Sequence, residues 1–352
     1  MSEVSLYNES DWLQYTLEKR FLTKRKDEFP SDDEININIY KNTEDYLYED
    51  VHKDVVVGAA LHGDGLLNDH GKSHVKMVIQ RAGLILGDRI EGLGGYEIFL
   101  LLLAIHFHDV GNIFGRDEHE KKIFEVMEKL KLPFDNAVNR QICDIAMAHG
   151  GYINKNKDTI IYLPTEDYLN GIKIRPSLLA AILRFSDEIA DEKTRASRFL
   201  NELNEIPPGN QVFHDLSNCM QSPAVNGDTL ILKFDIPYNL AITKTTKLND
   251  KKGIDEIYLY DEIINRLRKC IVELEYCRKY SHGFILLNSI QAAITVYYPE
   301  SSRKYSDSIR LRLSGYPETN KCIEDLCESP IKAKDGEQMK GIILNEKGEN
   351  NG

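Results

Sequence analysis

The chain has 352 residues, of which 42% are hydrophobic and 28% charged, and a formal net charge of −12 at pH 7. This length can bury one large core or two ordinary ones, and the composition is typical of a soluble globular protein. The negative charge and the lack of a basic run argue against general binding to the nucleic-acid backbone. Double-stranded nucleic acid is therefore not the expected partner.

The distribution of apolar residues and cysteines predicts a cytoplasmic location and no association with a membrane. The longest purely apolar stretch, residues 98–105, is too short to span a bilayer. The first residues, MSEVSLYNESDW, lack the basic and then apolar layout of a secretory signal. The six cysteines are scattered without a C-x-x-C pair, which favours reduced thiols in a cytosol.

The first two predicted segments are an extension and a helical domain. Residues 1–54 are polar and acidic, with one helix predicted near residues 11–25. From residue 55 to residue 205 the apolar residues recur with the 3.6-residue period of helices. Pro176 is expected to open the last of these helices, at a position where proline is tolerated.

A long polar loop, residues 150–175, interrupts the helical domain. We predict a short strand at residues 159–163 within it, and a loop at this place can serve as a lid over a site. The run NEIPPGN, residues 204–210, is typical of a linker.

After the linker the periodicity changes to that of a smaller α/β domain over residues 206–317. We predict strands at residues 229–234, 292–298 and 308–313. One long helix is predicted between the first two strands, at residues 254–279. Residues 318–352 are predicted to form a polar, mobile tail. The predicted fold class is therefore mainly α, a helical domain followed by a smaller α/β domain.

Six histidines and aspartates lie on predicted inward faces of the helical domain, namely His74, His108, Asp109, His119, His149 and Asp187. An uncompensated polar group on such a face is costly, and a buried carboxylate needs a partner or a metal ion. One such group is commonly satisfied by a backbone carbonyl. Six of them on apolar helices are explained together by a metal centre.

The ordered set resembles the HD superfamily of metal-dependent phosphohydrolases, in particular the members with two metal ions. The resemblance is carried by the stretches LNDHGKSHVKMVIQRA, LLLAIHFHDVGN and LLAAILRFSDEIAD, and it extends over residues 60–200. It implies a helical bundle in which His119 and His149 bind the second ion.

The implied cofactor is a pair of divalent ions that Asp109 could bridge. Histidine and carboxylate ligands suit manganese or iron, with nickel, zinc or magnesium as alternatives. Asp109, His70 and His119 are the candidate catalytic residues. His70 lies four residues before His74, and His119 becomes a candidate general acid if it is not a ligand.

Four basic side chains are candidates for contact with a substrate phosphate, namely Lys72, Arg116, Lys173 and Arg175. A basic residue in such a position is more often a solvated surface charge. His106 is predicted to pack in the core, because it lies on another face of its helix than His108.

The resemblance implies hydrolysis of a phosphoester or phosphoanhydride in a small nucleotide or another phosphate ester. A non-catalytic nucleotide sensor, a di-iron oxygenase and a single-strand nuclease stay open as alternatives. Bacterial HD proteins with DHG-x-x-H and HD-x-GN motifs are similar, and some occur with Hsp90-like ATPases. A partner of that kind, or a homo-oligomer, is therefore an expectation from resemblance only.

Overall fold

A computed structural model describes most of the chain, over residues 17–24, 26–30, 33–61, 70–115, 118–153, 155–191, 206–249, 253–299, 304–313 and 334–348. The chain divides into two compact units. The first comprises Met1–Asp64, Asp69–Ala190 and Tyr276–Leu286, and the second comprises Gly65–Asn68, Asp191–Glu275 and Leu287–Gly352. The domain boundaries expected from the sequence stay predictions.

The first unit is built from α-helices joined by short 3₁₀ turns. Residues 17–22 are helical, and the further α-helices of this unit are α1 Asp33–Tyr46, α2 His52–Leu61, α3 Lys72–Leu86, α4 Gly95–Phe107, α5 Ile123–Leu130, α6 Asn136–Met147 and α7 Pro176–Glu188. The 3₁₀ helices are Lys26–Glu28, Gly87–Gly92, Val110–Phe114, His119–Lys122 and Ile160–Tyr162. The prediction of a mainly helical part is confirmed.

Helix α4 is the centre of this unit. Every residue of α4 is buried, as expected for a helix that is apolar on all sides. With the 3₁₀ turn after it, the stretch Gly95–Phe114 is the one candidate membrane span among the described residues by length and composition. The protein itself buries 89% of the most apolar segment of this stretch. Core helices of this kind can have the length and composition of a membrane span without crossing a membrane.

The loop after α6 differs from its prediction. The strand predicted at residues 159–163 is wrong, because Ile160–Tyr162 is a 3₁₀ helix. The strands of this loop are β1 Asp167–Leu169 and β2 Ile172–Ile174, which form an antiparallel hairpin. Asn170 and Gly171 join them with φ values of 51° and 83°, the left-handed backbone that a tight two-residue hairpin turn requires.

The same loop is held down by one carboxylate. Asp158 Oδ1 accepts hydrogen bonds from the hydroxyls of Tyr276, at 2.9 Å, and Tyr280, at 2.7 Å. The Arg184 guanidinium lies 4.5 Å from the centre of the Tyr276 ring and donates to Thr159 Oγ1 at 3.0 Å. The start of the loop is therefore fixed to the helical unit.

The second unit combines strands and helices, which confirms the predicted α/β part. Its strands are β3 Ala224–Asn226, β4 Thr229–Pro237, β5 Lys244–Leu248, β6 Ile254–Tyr258, β7 Ser289–Tyr297 and β8 Lys304–Arg312. Four of them form a sheet in the order β3-β4-β7-β8, in which β4 and β7 are parallel and the other pairs antiparallel. Strands β5 and β6 form a separate antiparallel pair.

The helices of the second unit correct two expectations from the sequence. They are α8 Gln211–Cys219, α9 Tyr238–Ile242, α10 Leu259–Tyr280, whose last turn from Tyr276 belongs to the first unit, and α11 Gly336–Gly348. The single helix predicted over residues 254–279 is wrong at its start, where β6 precedes α10. The tail predicted to be mobile contains α11, which buries Met339 and Ile343.

A buried polar cluster lies between α1, α2 and α4. His106 is fully buried and contacts the rings of Tyr40, Tyr48 and His52, so it packs in the core as predicted. Glu44 Oε1 lies 3.8 Å from His106 Nε2. Burial and the neighbouring carboxylates of Glu18 and Asp45 raise the pKa of Glu44 from 4.5 to about 7.

Replacing Glu44 by glutamine is expected to stabilise the protein more at high pH than at low pH. A raised pKa means that the folded state favours protonated Glu44. The resulting stability is fully present below 4.5 and is lost as the pH rises through about 7. In thermal unfolding, Glu44→Gln should raise Tm at about pH 8 more than at about pH 5.

Glu49→Gln is the matched control, because Glu49 is exposed and Lys53 lowers the pKa of its carboxylate. Glu49→Gln should show no such gain at high pH. An equal change of Tm at both pH values for Glu44→Gln would contradict the predicted role of Glu44.

Candidate metal centre

The buried end of α4 carries one half of a cluster of histidines and aspartates. His74 Nε2 lies 3.2 Å from His108 Nε2 and 3.1 Å from Asp187 Oδ1. Oδ2 of Asp109 lies 3.4 Å from the same His74 nitrogen and 3.3 Å from His108 Nε2. Four donor atoms from α3, the end of α4 and the last turn of α7 therefore meet at one place.

The second half of the cluster faces the other oxygen of Asp109. Oδ1 of Asp109 lies 3.2 Å from His119 Nε2 and 3.9 Å from His149 Nε2. The two imidazole nitrogens are 3.4 Å apart. The Asp109 carboxylate is therefore shared between two donor groups.

The backbone brings His119 and His149 to Asp109 from just outside the α-helices. We predicted both on helical stripes, but His119 begins the 3₁₀ helix His119–Lys122 and His149 follows the end of α6. A Cβ atom on Gly111 would lie 1.9 Å from the carbonyl oxygen of His119. Only glycine at this position allows the segment with His119 to approach so closely.

Backbone carbonyls fix the orientation of two of the imidazoles. His108 Nδ1 donates to the carbonyl of Ile105 at 2.7 Å, and His149 Nδ1 donates to the carbonyl of Ala146 at 2.6 Å. In the neutral rings the Nε2 atoms therefore carry lone pairs directed into the cluster. Lone pairs that converge in this way suit a cation, and the hydrogen bonds behind them are typical of metal-binding histidines.

The electrostatics keep the carboxylates charged. Burial would raise the pKa of Asp109 and of Asp187, but His108 and its neighbouring histidines outweigh it, so both pKa values lie well below the ordinary range. Burial lowers the pKa of His108, but the two aspartates outweigh it and raise that pKa. Burial and the charges of His108 and His119 lower the pKa of His149 to about 4.

The distances also fit a metal centre. Two ligand atoms about 2.1 Å from one ion, at a right angle, lie about 3 Å apart. Most pairs in each half of the cluster are separated by 3.1–3.4 Å. Three groups of histidine and aspartate could each hold a metal ion, namely His70 with His74 and Asp109, His74 with His108 and Asp187, and Asp109 with His119 and His149.

The other predicted site residues fall into two classes. His70 joins the cluster, with its Nδ1 atom 2.7 Å from Asp109 Oδ2. The basic candidates have other partners: Lys72 lies over the Tyr48 ring at 4.5 Å, Lys173 pairs with Glu166 at 2.7 Å, and Arg175 donates to both oxygens of Glu97 at 2.8 and 2.6 Å. Arg116 lies outside the described residues.

Two residues of the cluster were not predicted. Asn112 is buried and donates from Nδ2 to Asp109 Oδ1 at 3.0 Å. Glu120 is buried beside His119, with Oε2 3.4 Å from its Nδ1 atom. The asparagine of the HD-x-GN motif was the available signal for Asn112, whereas nothing in the sequence distinguishes Glu120 from a surface glutamate.

Gly111→Ala is expected to displace His119 and to destabilise the protein by about 1–3 kcal/mol, as overpacking does. The added methyl group would meet backbone atoms of His119, which cannot move as a side chain can. The checks are Tm and the metal content after loading with Mn²⁺, and both should fall. Gly150→Ala, where a Cβ meets nothing within 4 Å, is the control beside His149. Equal values for the two variants would show that the close approach is not required.

Comparison with known proteins assigns the chain to a protein family. Searches of curated proteins and of solved structures returned no significant match. The model of the HD-CE family matches residues 64–239, half of the chain and the part that contains the whole ordered set from His74 to Asp187. The family name and the cluster of histidines and aspartates both fit an HD-type domain. The chain belongs to the HD-CE family.

Proposed function

We propose that this protein is a metal-dependent phosphohydrolase or phosphodiesterase that acts on a small nucleotide or another phosphate ester. One observation supports the proposal above the others. The two oxygens of Asp109 face separate donor groups, with His74 and His108 on one side and His119 and His149 on the other. A carboxylate shared in this way suits a centre with two ions.

Each half of the cluster would hold one ion. His74, His108, Asp187 and Oδ2 of Asp109 would hold the first, and His119, His149 and Oδ1 of Asp109 the second. When bound, divalent ions polarise phosphoryl oxygens and lower the pKa of water. The donors are imidazoles and carboxylates without a thiolate, which favours manganese or iron, with nickel, zinc and magnesium as alternatives.

The exposure of the cluster indicates the side from which a substrate would approach. The side chains of His74, His108 and His149 are at most 5% exposed, whereas those of His119 and Asp187 are 17% and 28% exposed. His70, at 14%, is exposed to a similar degree as His119, so the open side of the cluster lies at Asp187, His119 and His70. His119 faces Asp109 and His149 directly, which favours a ligand role over that of a general acid.

The remaining parts of the proposal concern partners. The net charge of −12 supports a small nucleotide over a nucleic-acid polymer, because a polymer needs an extended basic surface. From the sequence we also propose a cytoplasmic location. For partners, the sequence suggests a homo-oligomer or an Hsp90-like ATPase.

Asp109→Ala is expected to lower turnover by more than about 100-fold, since removal of a shared ligand should exceed the effect of removing a supporting residue. The measurement is a product-resolved hydrolysis screen with Mn²⁺ over dNTPs, cyclic mono- and dinucleotides, dinucleoside polyphosphates and short oligonucleotides. Asp144→Ala is the control, because Asp144 is half-exposed and pairs with Arg140 on the surface of α6.

Wild-type rates in Asp109→Ala would contradict the assignment. No turnover of any compound by wild-type protein with metal bound would instead favour the nucleotide sensor or the oxygenase.

Asn112→Ala is expected to weaken metal binding about 10- to 100-fold, as loss of a residue that orients a ligand does. Asn112 holds Oδ1 of Asp109, the oxygen that faces His119 and His149. Titration of the metal-free protein with Mn²⁺ measures the effect, and the control is Asn136→Ala, at the exposed first residue of α6. An unchanged affinity in Asn112→Ala would show that Asp109 needs no such support.

A further inference from the structure

We infer that His70 is a metal ligand, so that five protein side chains would hold the first ion and three the second. The inference rests on the proposed metal centre. It adds that the two ions would differ in their number of protein ligands and therefore in how tightly they bind. It also assigns His70 the role of a ligand, whereas the sequence suggested a catalytic residue.

The position of His70 supports a ligand role. Its Nδ1 atom lies 2.7 Å from Asp109 Oδ2, the oxygen that faces the first half of the cluster. The ring of His70 lies 5.3 Å from that of His74, between centroids. Each of the three residues His70, His74 and Asp109 offers one ligand atom, and these three atoms lie within 4.8 Å of one another.

The number of lone pairs decides how many ions these groups can hold. The three groups would suggest three ions, but His74 belongs to two of them. An imidazole nitrogen has a single lone pair and can bind one ion. The same nitrogen of His74, Nε2, faces both Asp109 Oδ2, at 3.4 Å, and Asp187 Oδ1, at 3.1 Å. The two groups therefore describe one ion, and His70 adds a ligand to it.

The two ions would then differ in how many coordination positions the protein leaves open for water or substrate. An ion with octahedral preference takes about six ligands, so five protein ligands leave about one position for water or substrate. The second group offers Asp109, His119 and His149, which leaves about three positions. Sites with three protein ligands and open positions are typical of catalysis, whereas closed sites are structural. The first ion would bind tightly, and the second would exchange and contact the substrate phosphate.

A hydrogen bond from His70 to Asp109 alone would give the same 2.7 Å distance, and variants separate the two roles. His70→Asn keeps an N–H donor beside Asp109 but has no imidazole lone pair. His70→Ala removes both. A ligand role therefore predicts that the two variants behave alike, and a donor role predicts that His70→Asn behaves as wild type.

The test is a titration of the metal-free full chain with Co²⁺, followed by visible absorption and by the number of ions bound. Wild type should bind two ions in two steps, the first at least about 10-fold tighter than the second. Both His70 variants should weaken the tight step by about 10-fold or more and change its absorption spectrum. His119→Ala should remove the weak step and keep the tight one. His282→Asn, an exposed residue outside the cluster, should change neither step.

The outcomes distinguish this inference from the proposed function. A His70→Asn variant with wild-type affinity and spectrum would overturn the ligand role and leave the two-ion centre intact. A third bound ion that His70→Ala loses would overturn the assignment of His70 to the first ion. A wild-type protein that binds no Co²⁺ would overturn the proposed centre itself.

Discussion

The candidate metal centre depends on one buried carboxylate, that of Asp109. It directly follows α4, the helix buried on every side, and its charge would be costly there without partners. Imidazoles from several separate segments supply those partners, and Asn112 holds one of the two oxygens. The donor set of the site is therefore assembled around this one carboxylate.

The backbone must come unusually close to itself to make this arrangement. Gly111 allows the segment with His119 to lie against the turn after Asp109. A Cβ atom on Gly58 would lie 2.5 Å from the carbonyl oxygen of Ile113 in the same turn, so α2 also packs directly on the backbone. The 3₁₀ helix Val110–Phe114 therefore makes two close backbone contacts, and the one at Gly111 brings His119 beside Asp109.

The sequence predicted the parts of the fold that depend on periodicity. Apolar residues with a period of 3.6 located α3 and α7, and a continuous apolar run located α4. It failed at two short elements. Asn170-Gly171 is a hairpin-turn signal that the prediction did not use. The strand Ile254–Tyr258, IDEIY, does not alternate between apolar and polar residues, so the sequence does not separate it from the helix that follows. The order of the ligands was visible, but the positions of His119 and His149 outside the helices depend on tertiary contacts that no local pattern contains.

The charges around the cluster explain why an acidic chain could handle phosphates. Two of the basic residues predicted to contact phosphate have other partners: Arg175 ties α7 to Glu97 at the start of α4, and Lys173 pairs with Glu166 on the hairpin loop. In the proposed function, the positive charge that a phosphate needs would come mainly from the bound ions. The cluster then has to bind those ions firmly without cancelling their charge. Neutral imidazoles with two carboxylates meet that condition better than a site made of carboxylates alone, because each imidazole adds a bond without adding a negative charge.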